Sequence, residues 1–472
     1  MMRGDNSKPD AQAGTLEPMK IKPLLLVAAS AALSPAPTFA NPYETTLKNG
    51  LRVIVKEDRR APTAVHMIWY RVGAMDEKDG TSGVAHVLEH MMFKGTKSIK
   101  AGEFNQRVAE AGGRDNAFTS LDYTAYFQIV PKAALPAMMR LEADRMGNLA
   151  FKPEDFASEL QVVMEERRLR TDDNPQSRVY EALNATAFTA HPYRRPIIGW
   201  MDDLEHMNWQ DALGWYRDWY APNNAYVVVA GDVDHRAVFK LAEQTYGQYQ
   251  AKPLPVRKPQ NEPAQEGIRR VTVKAPAQLP YLMMAWKAPK LVDADRDRDP
   301  YALEVLAALL DGNDAARLPK RLVRGEKIAQ SVGSGYDATL RGESKFILAG
   351  QPAAGRTVAE LEAALRAELK RIQDEGVTEE ELKRVKTQTF AAQVYKRDSL
   401  MAQAMEIGQS EAAGVSWRDI DKLLDKIRGV SAEEVQAVAR KYFGDDTLTV
   451  AVLDPQPLDS APKRKSGVTA RH

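Results

Sequence analysis

The stretch GVAHVLEHMMF, beginning at Gly83, sets two histidines and a glutamate into an otherwise apolar run. On a helix, residues i, i+3 and i+4 share a face, so His86, Glu89 and His90 project together while Val84, Val87, Leu88 and Met91 cover the other sides. Two imidazoles four residues apart can hold one metal ion, because neutral imidazole is a good zinc ligand. A carboxylate on the same face can then take a proton from water activated by that metal. The competing reading is that both histidines merely pair with core neighbours. It suits a lone histidine better than a His-x-x-Glu-His set in a chain with only seven histidines among 472 residues.

Composition narrows the chemistry further. The chain has no cysteine, which excludes disulfides, thiolate zinc sites and cysteine nucleophiles, so a transition metal has to be held by His and Asp/Glu. A hydrophobic share of 44% and a charged share of 27% are those of a soluble globular protein, and the length implies more than one domain. A formal net charge of +1 offers no overall field for nucleic acid or an anionic membrane.

The elements that would position the candidate site can be read from periodicity. LRVIVKED and TAVHMIWYRVG alternate as strands do. Helical patterns are expected from Ser82 to Phe93, from Ala101 to the Gly112-Gly113 stop, from Lys132 to Leu149 and from Pro153 to about Thr171. DNAFTSLDYTAYFQIV reads as strand, and AYVVVAGDVD as a buried strand ending in a turn. The Pro-rich, polar segment 249–267 reads as an extended linker.

Beyond the linker the opening pattern recurs. LRVIVKEDRRAPTAVHMIWYRVG with its acidic turn and apolar helix can be laid over IRRVTVKAPAQLPYLMMAWKAPK with a second acidic turn and apolar helix. With Gly95 set on Gly312, His86 falls on Leu303, Glu89 on Leu306 and His90 on Ala307. A duplicated unit is therefore expected to have kept its core and lost the polar residues in one copy. The expected boundaries are 41–248 for a first, zinc-binding domain, 249–267 for the linker, 268–455 for a related domain without zinc ligands, and 456–472 for a basic tail. Residues 1–40 are expected to be an N-terminal extension plus a signal peptide. A basic start at Lys20 and Lys22 and an apolar run from Leu24 to Leu33 lead there to Thr38-Phe39-Ala40, which implies export to the periplasm.

His-x-x-Glu-His is the inverted zinc-peptidase signature. With the downstream segment PEDFASELQVVMEERRLRTDDNP, the chain resembles the pitrilysin/insulinase family, peptidase family M16, in its half-length bacterial and mitochondrial-processing form. That resemblance implies an α+β fold: two homologous, duplicated α/β sandwich-like domains of the LuxS/MPP-like metallohydrolase type, forming half of a clamshell. It implies one zinc ion per chain, held by His86, His90 and a glutamate on a second helix. Glu165 and Glu166 compete for that place, and the family pattern favours Glu166 and gives Glu159 a supporting role. The expected activity is hydrolysis of oligopeptides or unfolded segments, with Glu89 as general base. The segment GGRDNAFTSLDYTAYFQ resembles the family's substrate-binding edge strand, with Asn116, Ala117 and Thr119 as the matching residues.

The family pattern breaks at one point. Active members also use an arginine and a tyrosine from the half without zinc, and here Arg324 suits the arginine while Gln330 stands at the tyrosine position. A heterodimer with a related chain supplying the pair is the expected assembly, a homodimer using Arg324 alone the alternative. A non-catalytic assembly subunit is the second functional class, and the intact His86, Glu89 and His90 argue against it.

Overall fold

The computed structural model describes residues 42–458. The expected signal peptide and nearly all of the expected basic tail lie outside the described residues. The first half of the chain runs through β1 (Tyr43–Thr46), β2 (Arg52–Glu57), β3 (Thr63–Tyr70), α1 (Val84–Met91), α2 (Glu103–Glu110), β4 (Arg114–Thr119) and β5 (Thr124–Pro131). It continues with α3 (Leu135–Asn148), α4 (Pro153–Arg167), α5 (Pro175–Ala187), α6 (Met201–His206), α7 (Trp209–Trp219), β6 (Ala225–Gly231) and α8 (His235–Thr245). The second half comprises β7 (Arg269–Pro276), β8 (Tyr281–Ala288), α9 (Asp299–Asp311), β9 (Ala329–Tyr336) and β10 (Ser344–Pro352). It closes with α10 (Val358–Glu375), α11 (Glu379–Lys396), α12 (Leu400–Ala413), α13 (Ile420–Arg428), α14 (Ala432–Tyr442) and β11 (Leu448–Gln456).

These elements build an α+β fold with two sheets, ordered β1-β2-β6-β3-β5-β4 and β7-β11-β8-β10-β9. Apart from the extra edge strand β1 the two orders correspond strand for strand. The directions correspond too, with β2 parallel to β6 and β7 parallel to β11, and the remaining neighbours antiparallel. The helix α9 occupies the place of α1, and its Leu303 and Leu306, opposite His86 and Glu89 in the alignment, are fully buried in the second core.

Several elements are shorter than their sequence patterns. The apolar pattern from Ser82 to Phe93 yields a helix only from Val84, because Gly83 takes a left-handed φ of 89°. The pattern from Pro153 to Thr171 is α-helical as far as Arg167 and continues as a π-helical turn, Arg168–Asp172. The linker lacks regular structure, as expected, yet it is pinned along its length. Lys252 exchanges hydrogen bonds with Asn223, Arg257 pairs with Asp76 at 2.6 Å, and Gln265 donates to the Leu448 carbonyl at 2.7 Å. The Glu262 carboxylate accepts from the N–H groups of Thr189, Ala190 and His191 and lies 3.1 Å from Lys287 Nζ.

Strand alternation sends each central strand into two cores. In β3, Ala64, Ile68 and Tyr70 pack with α1 and its neighbours, whereas Val65, Met67 and Trp69 face Ala404 and Ile407 of α12. In the second sheet Leu282, Met284 and Trp286 join that half's own helices, whereas Met283 and Ala285 face Val179 and Leu183 of α5. Each sheet therefore has one face covered by its own half and the other by a helix lent by the opposite half. Gly408 allows α12 to sit this close: a Cβ there would lie 2.1 Å from the Trp69 indole, and its carbonyl accepts from Tyr226 Oη at 2.7 Å. Among the described residues no helix is long and apolar enough to cross a membrane.

Gly408→Val should lower the unfolding free energy by about 2–3 kcal/mol through overpacking against Trp69, as read by urea denaturation. Burial opposes charge on Glu262, but its backbone donors and Lys287 outweigh that and hold its carboxyl at about 2. Its contribution is therefore complete above the ordinary value of 4.5 and is lost as pH falls toward 2. Glu262→Gln should cost about 1–3 kcal/mol at neutral pH and progressively less in acid, measured by the same denaturation at stepped pH.

Candidate metal centre

Helix α1 begins without a capping side chain of its own, since its N-cap is Gly83. Glu77 takes over that task from the preceding turn: its buried carboxylate accepts from Gly83 N and Ala85 N, both at 2.9 Å. Burial pushes the Glu77 carboxyl up to about 8 despite these donors. The same helix start is wedged against Gly199, where a Cβ would meet the Ser82 carbonyl at 2.4 Å. This tight crossing fixes where the first turn of α1 lies, and with it His86.

One turn of α1 brings His86, Glu89 and His90 to the face that looks at α4. From α4, Glu166 reaches both rings, with Oε2 3.3 Å from His90 Nε2 and Oε1 3.9 Å from His86 Nε2. Glu159, two turns earlier, accepts from His90 Nδ1 at 3.0 Å and also pairs with Lys94. Glu165 turns the other way to Arg168, and its side chain is 55% exposed against 17% for Glu166. Arg170, four residues on, pairs with Glu166 Oε1 at 2.5 Å.

One donor atom each from His86, His90 and Glu166 lies within 4.8 Å of the others, a spacing that one small cation can bridge. Two nitrogens and one carboxylate oxygen match the donor set of a zinc site with an open position. The state of His86 fits the same reading. Its ring is buried, its Nδ1 has no hydrogen-bond partner among the described residues, and burial with the charge of His90 pushes it down to about 4. Burial also opposes charge on His90, but hydrogen bonds to Glu159 and Glu166 outweigh it and raise it to about 9. Donation from His90 Nδ1 to Glu159 leaves Nε2 as the nitrogen facing Glu166, the usual way a ligand histidine is oriented.

Glu89 is buried beside this cluster. Burial raises its carboxyl above the ordinary range, and the Thr119 hydroxyl, donating to Oε2 at 2.6 Å, only partly offsets that. Thr119 thus turns its side chain to Glu89. Asn116 and Ala117 lie on β4, the outer strand of the first sheet, beside the same opening. The opening is a cleft of about 1490 Å³, lined from the first half by both histidines and β4 and from the second by Tyr281, Met283 and Lys345. Among the described residues its lining includes neither Arg324, which donates to the Asp314 carbonyl, nor Gln330, exposed on β9. His191 lies apart, between Phe188 and Tyr193. Sequence reasoning passed over Lys94, Arg170 and Glu77. The first two stand four residues after His90 and Glu166, a spacing that was readable, whereas Glu77 reaches α1 from an irregular turn.

Residues 52–200 match the family model described as insulinase (peptidase family M16), and residues 206–389 match the model of the peptidase M16 inactive domain. A protein of Helicobacter pylori named zinc protease PqqE is 32% identical over 442 residues, covering 92% of this chain and 97% of that one. The crystal structure of a protease from Helicobacter pylori superposes with a TM-score of 0.83 at 31% identity, over 88% of this chain and 99% of the other. The periplasmic protease PqqL of Escherichia coli shares the fold with a TM-score of 0.76 at 20% identity. The match spans 88% of this chain but only 48% of that longer one.

If Glu159 orients His90, Glu159→Gln should weaken zinc binding about 10- to 100-fold while leaving the folded chain intact. Competition with a chromophoric chelator, alongside circular dichroism, would measure both.

Proposed function

Because the chain belongs to the insulinase family, peptidase family M16, as a half-length member, we propose that it is a zinc-dependent endopeptidase acting on oligopeptides or unfolded polypeptide segments. The observation that carries this reading is the meeting of His86, His90 and Glu166 beside the buried Glu89 in a cleft of about 1490 Å³. The names of the Helicobacter pylori relatives support the class of activity.

His86, His90 and Glu166 would hold the metal. Zinc bound there would supply Lewis acidity, which makes water a nucleophile near neutral pH and polarises a carbonyl. Glu89 accepts the proton released as the water oxygen bonds to the carbonyl carbon. It then delivers that proton to the departing amine nitrogen as the C–N bond breaks. Its raised proton affinity suits both transfers, and Thr119 fixes the carboxylate orientation through Oε2. Asn116 and Ala117 offer the substrate a strand edge on which to lie extended. No covalent acyl-enzyme is required.

The chain acts as one half of a clamshell. Gln330 leaves it without the family's tyrosine, so a related chain carrying the Arg/Tyr pair closes over the zinc face as a heterodimer, with a homodimer using Arg324 as the lesser reading. The Escherichia coli relative, about twice as long in a single chain, supports pairing of two such units. Its description as periplasmic, with the N-terminal sequence of this chain, supports a periplasmic location.

The test is cleavage of a quenched fluorescent peptide by the purified mature chain, with zinc assayed in the same preparation. One zinc per chain is expected, with little turnover until a chain bearing the Arg/Tyr pair is added. Full turnover by the chain alone would overturn the partner requirement, and absence of zinc would overturn the whole reading. In the active assembly Glu89→Gln should lower kcat about 10²- to 10⁴-fold with zinc retained.

A further inference from the structure

The face of the second sheet that α5 covers is apolar, with Met283, Ala285, Ile347 and Ala349 upon it. Strand alternation puts Lys345 of β10 on the same face, two residues before Ile347 and opposite Lys287 in the register. The two lysines fare differently. Lys287 reaches the Glu262 carboxylate at 3.1 Å, whereas Lys345 meets no carboxylate among the described residues. Its Nζ donates to Asn184 Oδ1 on α5 and lies 4.7 Å from the centre of the Phe188 ring. Burial alone pushes this ammonium down to about 8.

The cleft that Lys345 lines has no anion to spare for it. Three arginines line the same cleft, and each has a carboxylate: Arg170 pairs with Glu166, and Arg194 and Arg195 pair with Asp79. The other carboxylates of the lining are engaged as well. Thr119 donates to Glu89, Glu159 holds His90 and Lys94, Glu165 holds Arg168, and Glu181 holds Arg167. A cation taken out of water without an anion is costly, and one amide oxygen and one ring face offset only part of that cost. Because Asn184 spends its oxygen on Lys345, it keeps the two hydrogens of Nδ2, which meet no acceptor among the described residues. An ammonium and an amide N–H side by side match the two oxygens of a carboxylate.

We infer that Lys345, with Asn184 beside it, anchors a carboxylate of the peptide substrate on the second half, across the cleft from the metal centre. This rests on the peptidase reading above and adds a substrate requirement. The carboxylate belongs either to the peptide's C-terminus or to an acidic side chain.

The test uses the Glu89→Gln chain loaded with zinc, so that bound peptide survives, and three decapeptides labelled at the N-terminus. One ends in a free carboxylate and contains no acidic residue. The second is its C-terminal amide, and the third is that amide with one internal glutamine replaced by glutamate. Fluorescence anisotropy should show a carboxylate-bearing peptide bound about tenfold tighter than the plain amide. A gain by the first peptide assigns the terminal carboxylate, and a gain by the third assigns a side chain. Lys345→Met should abolish the ratio while the plain amide binds as before, Lys345→Arg should keep most of it, and Asn184→Ala should reduce it about threefold. Should Lys345→Met not fold, as judged by circular dichroism, Asn184→Ala reads the same ratio. Equal binding of all three peptides by the parent would overturn the inference. So would a ratio undiminished in the variants, the result for a lysine that merely ties α5 to the sheet. The peptidase reading fails separately: the carboxylate preference would persist while the chain with Glu89 intact, assayed with its partner chain, cleaved none of the peptides.

Discussion

A sheet that is apolar on both faces needs two layers of helix, and each half of this chain covers only one face of its own sheet. The uncovered faces, with Trp69 and Met67 on one and Met283 and Ala285 on the other, are closed by exchange: α12 crosses to the first sheet and α5 to the second. Everything else in the fold is arranged around that reciprocal burial. It explains why β3 and β6 are apolar almost throughout, as strands buried on both sides must be.

The exchange also ties the candidate metal centre to the second half. Glu166 lies near the end of α4, and five residues of π-helix separate α4 from the approach to α5, which is docked on β7, β8 and β11. A π-helical turn at such a point is a common mark of a functional segment. The glutamate therefore takes its position from α1 on one side and, through α5, from the second sheet on the other. The cleft is likewise lined by both halves, so its width depends on their packing.

Much of this arrangement was legible in the sequence because it is periodic. His86, Glu89 and His90 share a helical face by spacing alone, and the duplication showed through because Leu303 and Leu306 keep the apolar character of a helix without ligands. The choice between Glu165 and Glu166 was not legible in the same way. Neighbours on a helix point about 100° apart, and only the path of α4 past α1 decides which one meets the rings. The lending of α5 and α12 was hidden for a related reason: an apolar face states that something covers it and not what. The linker showed its extended character through its prolines, but the docking of Glu262 on three backbone N–H groups is a long-range contact that composition does not encode. The π-helical turn escaped because the helical pattern runs on through Leu169.

The exchanged helices bear on how such a molecule can change over generations. A substitution on the outer face of one sheet is felt by a helix encoded in the other copy, so the two copies cannot drift apart as independent domains do. The inner faces carry no such bond, since each packs against helices of its own copy. That is where the second copy carries Leu303, Leu306 and Ala307 at the positions of His86, Glu89 and His90, with the two leucines in a closed core. A helix on an inner face can therefore carry ionisable residues or lack them without altering the exchange that binds the two copies.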